Sequence, residues 1–117
     1  TAGAAALLAA GMGFSGAVAA QEEGLSDSAK KGKELAFGRS AGNCLACHQI
    51  QGGNLAGNIG PALIAMKARY PEREELKKVI YDPRDKFGDQ TIMPPFGAHK
   101  ILSEEEIDAI TDYILTL

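Results

Sequence analysis

The chain has 117 residues, enough for one domain, with 12 basic against 15 acidic side chains and a net charge of −3. The basic residues do not gather on one segment, which argues against nucleic acid as a partner. The two cysteines are three positions apart, so a disulfide between them would close a loop too short to remove much chain entropy. A domain this small therefore needs another source of stability, and a bulky apolar cofactor would serve.

Residues 1–20, TAGAAALLAAGMGFSGAVAA, carry no charge, and the small residues Val18, Ala19 and Ala20 give way abruptly to QEE. This is the pattern of the apolar region and cleavage site of a secretory signal peptide that lacks its basic front, with cleavage after Ala19 or Ala20. A transmembrane anchor is the competing reading, but the run is short and only weakly apolar for a stable span. The expectation is a mature domain of residues 21–117 that works outside the cytoplasm and has no membrane attachment once the signal is removed.

Four helices follow. The first is read over 26–37, with Ser26 as N-cap and Ala29, Leu35 and Ala36 available for burial; Gly38 and the turn after it end the helix. Next comes GNCLACHQI, with both cysteines and one of the two histidines. A short second helix is read over PALIAMKA, with Pro61 at its first position, where the missing N–H does no harm. The third is PEREELKKVIY, opened by Pro71, with acidic residues in its first turn, and stopped at Asp82 by Pro83. Residues 82–100 show no periodicity and are read as a long loop, a feature that is usually functional or disordered in so small a domain. The last helix is the clearest. Ser103 and Glu106 form a capping box and Leu102 and Ile107 a hydrophobic staple, while Ile107, Ile110, Ile114 and Leu117 make one apolar stripe. No stretch alternates like a strand and no internal repeat is present, so the fold class is all-α.

C-x-x-C-H is the attachment sequence of c-type haem. Each thiol adds to a vinyl group and becomes a thioether. The residue after the second cysteine then brings its imidazole under the ring as the proximal iron ligand. Cys44 and Cys47 are the tethers in this reading and His48 the ligand. A redox dithiol would also use C-x-x-C, but it has no need of His48 and belongs on a strand-to-helix turn of an α/β fold. A zinc site would need a fourth ligand, and only His99 remains. A plain disulfide leaves His48 unexplained.

For the opposite face of the iron the candidates are Met66, Met93, His99 and the lysines. Met66 lies within the second predicted helix and reads as core packing. His99 sits in a polar, glycine-flanked loop and is the second choice. Met93 is followed at once by Pro94 and Pro95, whose restricted φ stiffens the backbone and holds a weak thioether at low entropic cost. Met/His ligation raises the reduction potential relative to His/His and fills both axial positions, which points to electron transfer rather than chemistry at iron. Metal-bound histidine commonly donates its other N–H to a carbonyl. Pro61 is the candidate acceptor for His48.

CLACH, GNIGPAL, ARYPEREEL, MPPFG and the closing ILSEEEIDAITDYILTL resemble the class I cytochromes c and, within them, the SoxX family of small monohaem subunits of SoxAX cytochromes. The resemblance implies a single-domain, all-α cytochrome c fold whose first and last helices cross, with Gly32 allowing a close approach to Ile110 or Tyr113. It implies one haem c held by Cys44 and Cys47, with His48 and Met93 as axial ligands. It places the protein in the periplasm as the heterodimeric partner of a SoxA-like cytochrome. That complex joins thiosulfate oxidatively to a cysteine of the SoxYZ carrier, and the small subunit passes the electrons to a soluble cytochrome. The catalytic haem of that family lies in the larger subunit, and no third cysteine remains here for sulfur chemistry. A free-standing electron shuttle and a haem enzyme or gas sensor share the same haem motif. Leu45, Ile59, Pro94, Pro95 and Phe96 are candidates for an apolar docking patch, and Lys30, Lys31 and Lys33 for electrostatic steering of a partner.

Overall fold

The computed structural model describes residues 24–117, so the expected signal segment lies outside the described residues. The elements are α1 (Asp27–Phe37), a 3₁₀ turn (Cys44–Ala46), α2 (Met66–Arg69), α3 (Arg73–Tyr81), α4 (Arg84–Phe87) and α5 (Glu104–Ile114). No strand occurs among the described residues.

The two long terminal helices begin where their caps dictate. The Ser26 hydroxyl accepts from the Ala29 N–H at 3.1 Å, satisfying one of the orphan donors of α1. At α5 both halves of the capping box are made: Glu106 N–H donates to Ser103 Oγ at 3.1 Å, and Ser103 N–H to Glu106 Oε2 at 2.8 Å. Both helices bury one face, Ala29, Gly32, Leu35 and Ala36 on α1 and Ile107, Ala109, Ile110, Thr111, Tyr113 and Ile114 on α5. They form the largest helix–helix interface of the fold. Gly32 is the point of closest approach. A Cβ there would stand 1.9 Å from the Ala109 carbonyl oxygen and 2.9 Å from the Ile110 nitrogen, so only hydrogen fits between the backbones. Phe37 and Tyr113 close the same interface edge to face, with centroids 6.0 Å apart.

The middle of the chain departs from the sequence reading in three places. The helix expected from Pro61 starts only at Met66, because the preceding backbone groups are taken by distant partners. Ala62 O accepts from Arg69 Nη1 at 3.0 Å, Leu63 N–H donates to Gln49 O at 2.9 Å, and Ala65 turns into the left-handed region at φ 50°. Met66 is thus the first residue of a one-turn helix, 1% exposed, and its N–H donates to Leu117 O at 3.0 Å. The third helix starts at Arg73 rather than Pro71. The Arg73 side chain is held by α5, with Nε donating to Asp112 Oδ1 at 2.8 Å and Nη2 to Asp108 Oδ1 at 3.1 Å. The segment 82–100 is not all loop. Pro83 sits at φ −66°, Asp82 Oδ1 accepts from Arg84 N–H at 3.1 Å, and one turn of helix, α4, follows.

Arg73 belongs to a network that ties α1, α3 and α5 together. Ser28 Oγ donates to Asp112 Oδ2 at 2.6 Å, and Lys77 Nζ lies 3.0 Å from Asp108 Oδ1. Asp108 and Asp112 both titrate below the ordinary carboxylate range. For Asp108 the bond from Lys77 is the main cause. For Asp112 burial opposes ionisation, and the bonds from Ser28 and Arg73 outweigh it.

Two predictions follow from this frame. Gly32→Ala forces α1 and α5 apart. It lowers stability by about 1–3 kcal/mol despite alanine's better helix propensity, as measured by urea unfolding. The carboxylate network contributes in full above the unfolded aspartate pKa of about 3.9 and is lost as pH falls through the lower folded values. Urea midpoints of the wild type therefore drop steeply below about pH 4, and Asp112→Asn shows a shallower acid limb.

Candidate haem-binding site

The two cysteines sit on a turn that the backbone makes by entering the left-handed region. Asn43, at φ 48°, precedes the 3₁₀ turn Cys44–Ala46; asparagine tolerates this conformation better than most side chains. Its N–H donates to Gly38 O at 3.0 Å and its carbonyl accepts from Ala46 N–H at 3.1 Å, so the turn hangs directly from the end of α1. His48 N–H then donates to Cys44 O at 2.8 Å, which closes the turn back onto the backbone of the first cysteine.

The chain after His48 wraps the turn, and three glycines make the wrap possible. A Cβ at Gly53 would collide with the Leu45 side chain at 2.3 Å, and one at Gly57 with the Ala46 carbonyl at 2.0 Å. One at Gly60 would stand 2.4–2.9 Å from three atoms of the His48 ring. Gly57 N–H donates to Leu45 O at 2.7 Å and Gly60 N–H to Cys47 O at 2.8 Å, which holds the loop in register. The next residue carries the contact expected of it: His48 Nδ1 lies 2.6 Å from Pro61 O. A carbonyl can only accept, so Nδ1 carries the proton and Nε2 is the free ring nitrogen.

Cys44, Cys47, His48, Pro61 and Met93 all line one cavity of about 580 Å³. That size falls among those of cofactor sites. Its floor is the buried apolar wall of α2, α3 and α5, including Met66, Leu76, Ile80, Ile110 and Ile114. Tyr70 and Phe96, 8% exposed each, close it from the connecting segments. Met93 is half-buried on the loop after α4, where its N–H donates to Thr91 Oγ1 at 3.4 Å. That loop is anchored beyond the prolines, with Gly97 and Ala98 N–H both donating to Tyr81 O at 3.0 and 3.1 Å. Gly97 lies against the Tyr81 ring so closely that a Cβ would stand 2.0 Å from it.

The other ligand candidates stand differently. Met66 also borders the cavity, but its Sδ accepts from Arg69 Nη1 at 3.3 Å. His99 is exposed and does not line the cavity. Cys44 and Cys47 form no disulfide, and burial pushes the Cys44 thiol up to about 11. A redox dithiol needs the opposite shift, toward the thiolate. The donor set is two thiols at one rim, a tautomer-fixed imidazole and a thioether, arranged around a large apolar cavity, and it fits a c-type haem.

Compared with known families, residues 29–117 match the cytochrome c family. The chain belongs to that family and is a class I cytochrome c, an electron-transfer haem protein whose relatives bind haem c covalently. No curated protein sequence matches the chain.

Part of this site lay beyond the sequence reading. Gly53, Gly57 and Gly60 were not singled out, although the GGNLAGNIG spacing was available as a signal of close backbone approach. Asn43 carried no signal beyond its type. Of the expected apolar patch, Phe96 belongs to the interior, Leu45 and Pro95 are half-buried, and Ile59 and Pro94 are exposed. Gly60→Ala should displace the His48 imidazole. The expected outcome is a lost or shifted Nδ1–H resonance in the NMR spectrum and a reduced yield of haem-loaded protein, while Gly52→Ala, which meets no neighbour within 4 Å and is strained only by its own φ of 85°, leaves the resonance in place.

Proposed function

We propose that this cytochrome carries one haem c and serves as the electron-accepting subunit of a periplasmic thiosulfate-oxidising complex of the SoxAX type. The observation that carries the haem assignment is the convergence of Cys44, Cys47, His48 and Met93 on one cavity, with His48 Nδ1 already engaged by Pro61. In this reading Cys44 and Cys47 would hold the porphyrin through thioethers, and His48 Nε2 and Met93 Sδ would be the protein's ligands to the iron. The haem supplies a one-electron Fe(III)/Fe(II) couple. Around it the Pro61 carbonyl makes His48 a more basic ligand. The Thr91 contact and the two prolines hold Met93 in place, and the buried wall excludes water. Two protein ligands leave no position for an exogenous one, which favours electron transfer over the enzyme or sensor reading.

The narrower assignment rests on the resemblance of the GNIGPAL, RYP and MPPFG segments to SoxX. The reaction served would join the sulfane sulfur of thiosulfate to the carrier cysteine as an S–S bond. The thiol proton is released and two electrons leave. Because one haem would take up one electron at a time, each turnover would need two transfers through this subunit. The partners in this reading are a SoxA-like cytochrome, the SoxYZ carrier reached through it, and a soluble cytochrome that takes the electrons onward.

Met93→Ala should abolish the near-infrared sulfur-to-iron band of the oxidised protein and lower its reduction potential, whereas His99→Ala should leave both unchanged. An unchanged band in Met93→Ala would overturn the ligand assignment. For the narrower reading, the purified ferric protein should be reduced by a SoxA-type cytochrome in the presence of thiosulfate and its carrier. Reduction that proceeds equally well without the SoxA-type protein would point to a free-standing shuttle.

A further inference from the structure

Arg73 and Arg84 pair with carboxylates, but the Arg69 guanidinium is spent on two neutral acceptors of its own segment. Its Nη1 donates to Ala62 O at 3.0 Å and to Met66 Sδ at 3.3 Å. Arg69 is an exposed residue, and ordering so long a side chain costs rotamer freedom. The bonds themselves are therefore what this conformation achieves. The alternative fate of the segment shows what they do. In a helix starting at Pro61, Ala62 O would accept from Met66 N–H and Pro61 O from Ala65 N–H. Here Met66 N–H donates to Leu117 O at 3.0 Å, and Ala65 is left-handed at φ 50°. Ala62 O accepts instead from Arg69 Nη1 and, at 3.2 Å, from Ile64 N–H. Arg69 thus takes the acceptor that helix formation needs, and its contact with Sδ ties Ala62 to Met66. Pro61 O is left to His48 Nδ1, which it meets at 2.6 Å. Proline has no N–H of its own to hold it. Between the bonds of Gly60 N–H and Leu63 N–H, the Ala62 carbonyl is the nearest anchored group to the one that orients His48.

We infer that Arg69 is a positioning residue for the iron ligand: by holding Ala62 O and Met66 Sδ it keeps the Pro61 carbonyl on His48 Nδ1. It acts on the imidazole through Ala62 and Pro61. The inference rests on the assignment of His48 as the proximal ligand and is independent of the thiosulfate reading. A metal-bound imidazole whose N–H loses its carbonyl becomes a weaker donor to the metal. The same proton, no longer hydrogen-bonded, exchanges faster with solvent. Exchange at Nδ1 therefore reports the orientation of the ligand directly.

The test uses the haem-loaded protein in its reduced, diamagnetic state and follows hydrogen exchange of the His48 Nδ1 proton by NMR. In Arg69→Met, which drops the donor and keeps an unbranched side chain, exchange should be about tenfold faster than in the wild type, or more. Arg69→Lys keeps a charged donor and should bring exchange back to within about threefold of the wild type. Arg84→Met removes the guanidinium bonded to Asp82 and should leave exchange unchanged. Should Arg69→Met load haem poorly, Arg69→Gln, whose amide lies nearer the backbone, carries the same expectation. Wild-type exchange in the variants that lack the guanidinium overturns the inference. A reduction potential that moves in them without faster exchange also overturns it, and makes Arg69 a charge beside the haem cavity, which it borders. Arg69→Lys exchanging as fast as Arg69→Met overturns it too. Faster exchange shared equally by the amides of α1 and α5 is general loosening and counts against it in the same way. Wild-type His48 ring protons without a haem ring-current shift would overturn the ligand assignment and the inference together.

Discussion

The fold depends on one backbone contact, the crossing of α1 and α5 at Gly32. The two helices lie at opposite ends of the described chain, and bringing them together costs the closure entropy of everything between. In return the crossing joins their buried faces into one apolar wall. Every other element is hung from that wall. The C-x-x-C-H turn hangs from the end of α1 through Gly38 and Asn43. α3 is pinned to α5 through Arg73, and Met66 to the end of the chain through Leu117 O. Nothing in the middle of the chain is long enough to be stable alone: α2 and α4 have 4 residues each.

The middle instead behaves as a wrapper whose backbone groups are spent on distant partners. The carbonyls of Pro61 and Ala62 go to His48 and Arg69, and that of Gln49 to Leu63. Because these groups are engaged across the fold, the segment cannot also be a regular helix. The same economy positions the site. The imidazole is oriented by a carbonyl that is available only because Pro61 is not in a helix, and it packs against Gly60 because no Cβ intervenes. Preorganisation of this kind makes the orientation of the imidazole a property of the polypeptide.

Charge is segregated in the same way. Helices α1, α3 and α5 carry nine of the fifteen acids and half of the twelve basic residues, and Arg73 and Lys77 of α3 bond to Asp112 and Asp108 of α5, whereas residues 49–66 carry no charge. Of the expected apolar patch, Ile59 and Pro94 are exposed, while Leu45, Pro95 and Phe96 turn partly or wholly inward.

Local signals alone determined a good part of this protein. The Ser26 cap, the capping box of Ser103 and Glu106, the stop at Pro83 and the C-x-x-C-H spacing each act over five residues or fewer, so they can be read in order along the chain. They specified the two long helices and the all-α class, and the last of them is the pattern of haem attachment. Tertiary structure decided what local signals cannot carry. Pro61 has the right chemistry to start a helix, and only the distant claims of His48 and Arg69 turn that segment into a loop. Gly32, Gly57 and Gly60 are ordinary glycines until a helix, a carbonyl and an imidazole arrive within a van der Waals radius of them. Leu55 looks like a core residue by type, and only the fold places it fully in solvent. The physical reason is common to all three cases: hydrogen-bond competition and excluded volume act between residues far apart in sequence, and they exist only once the chain has closed.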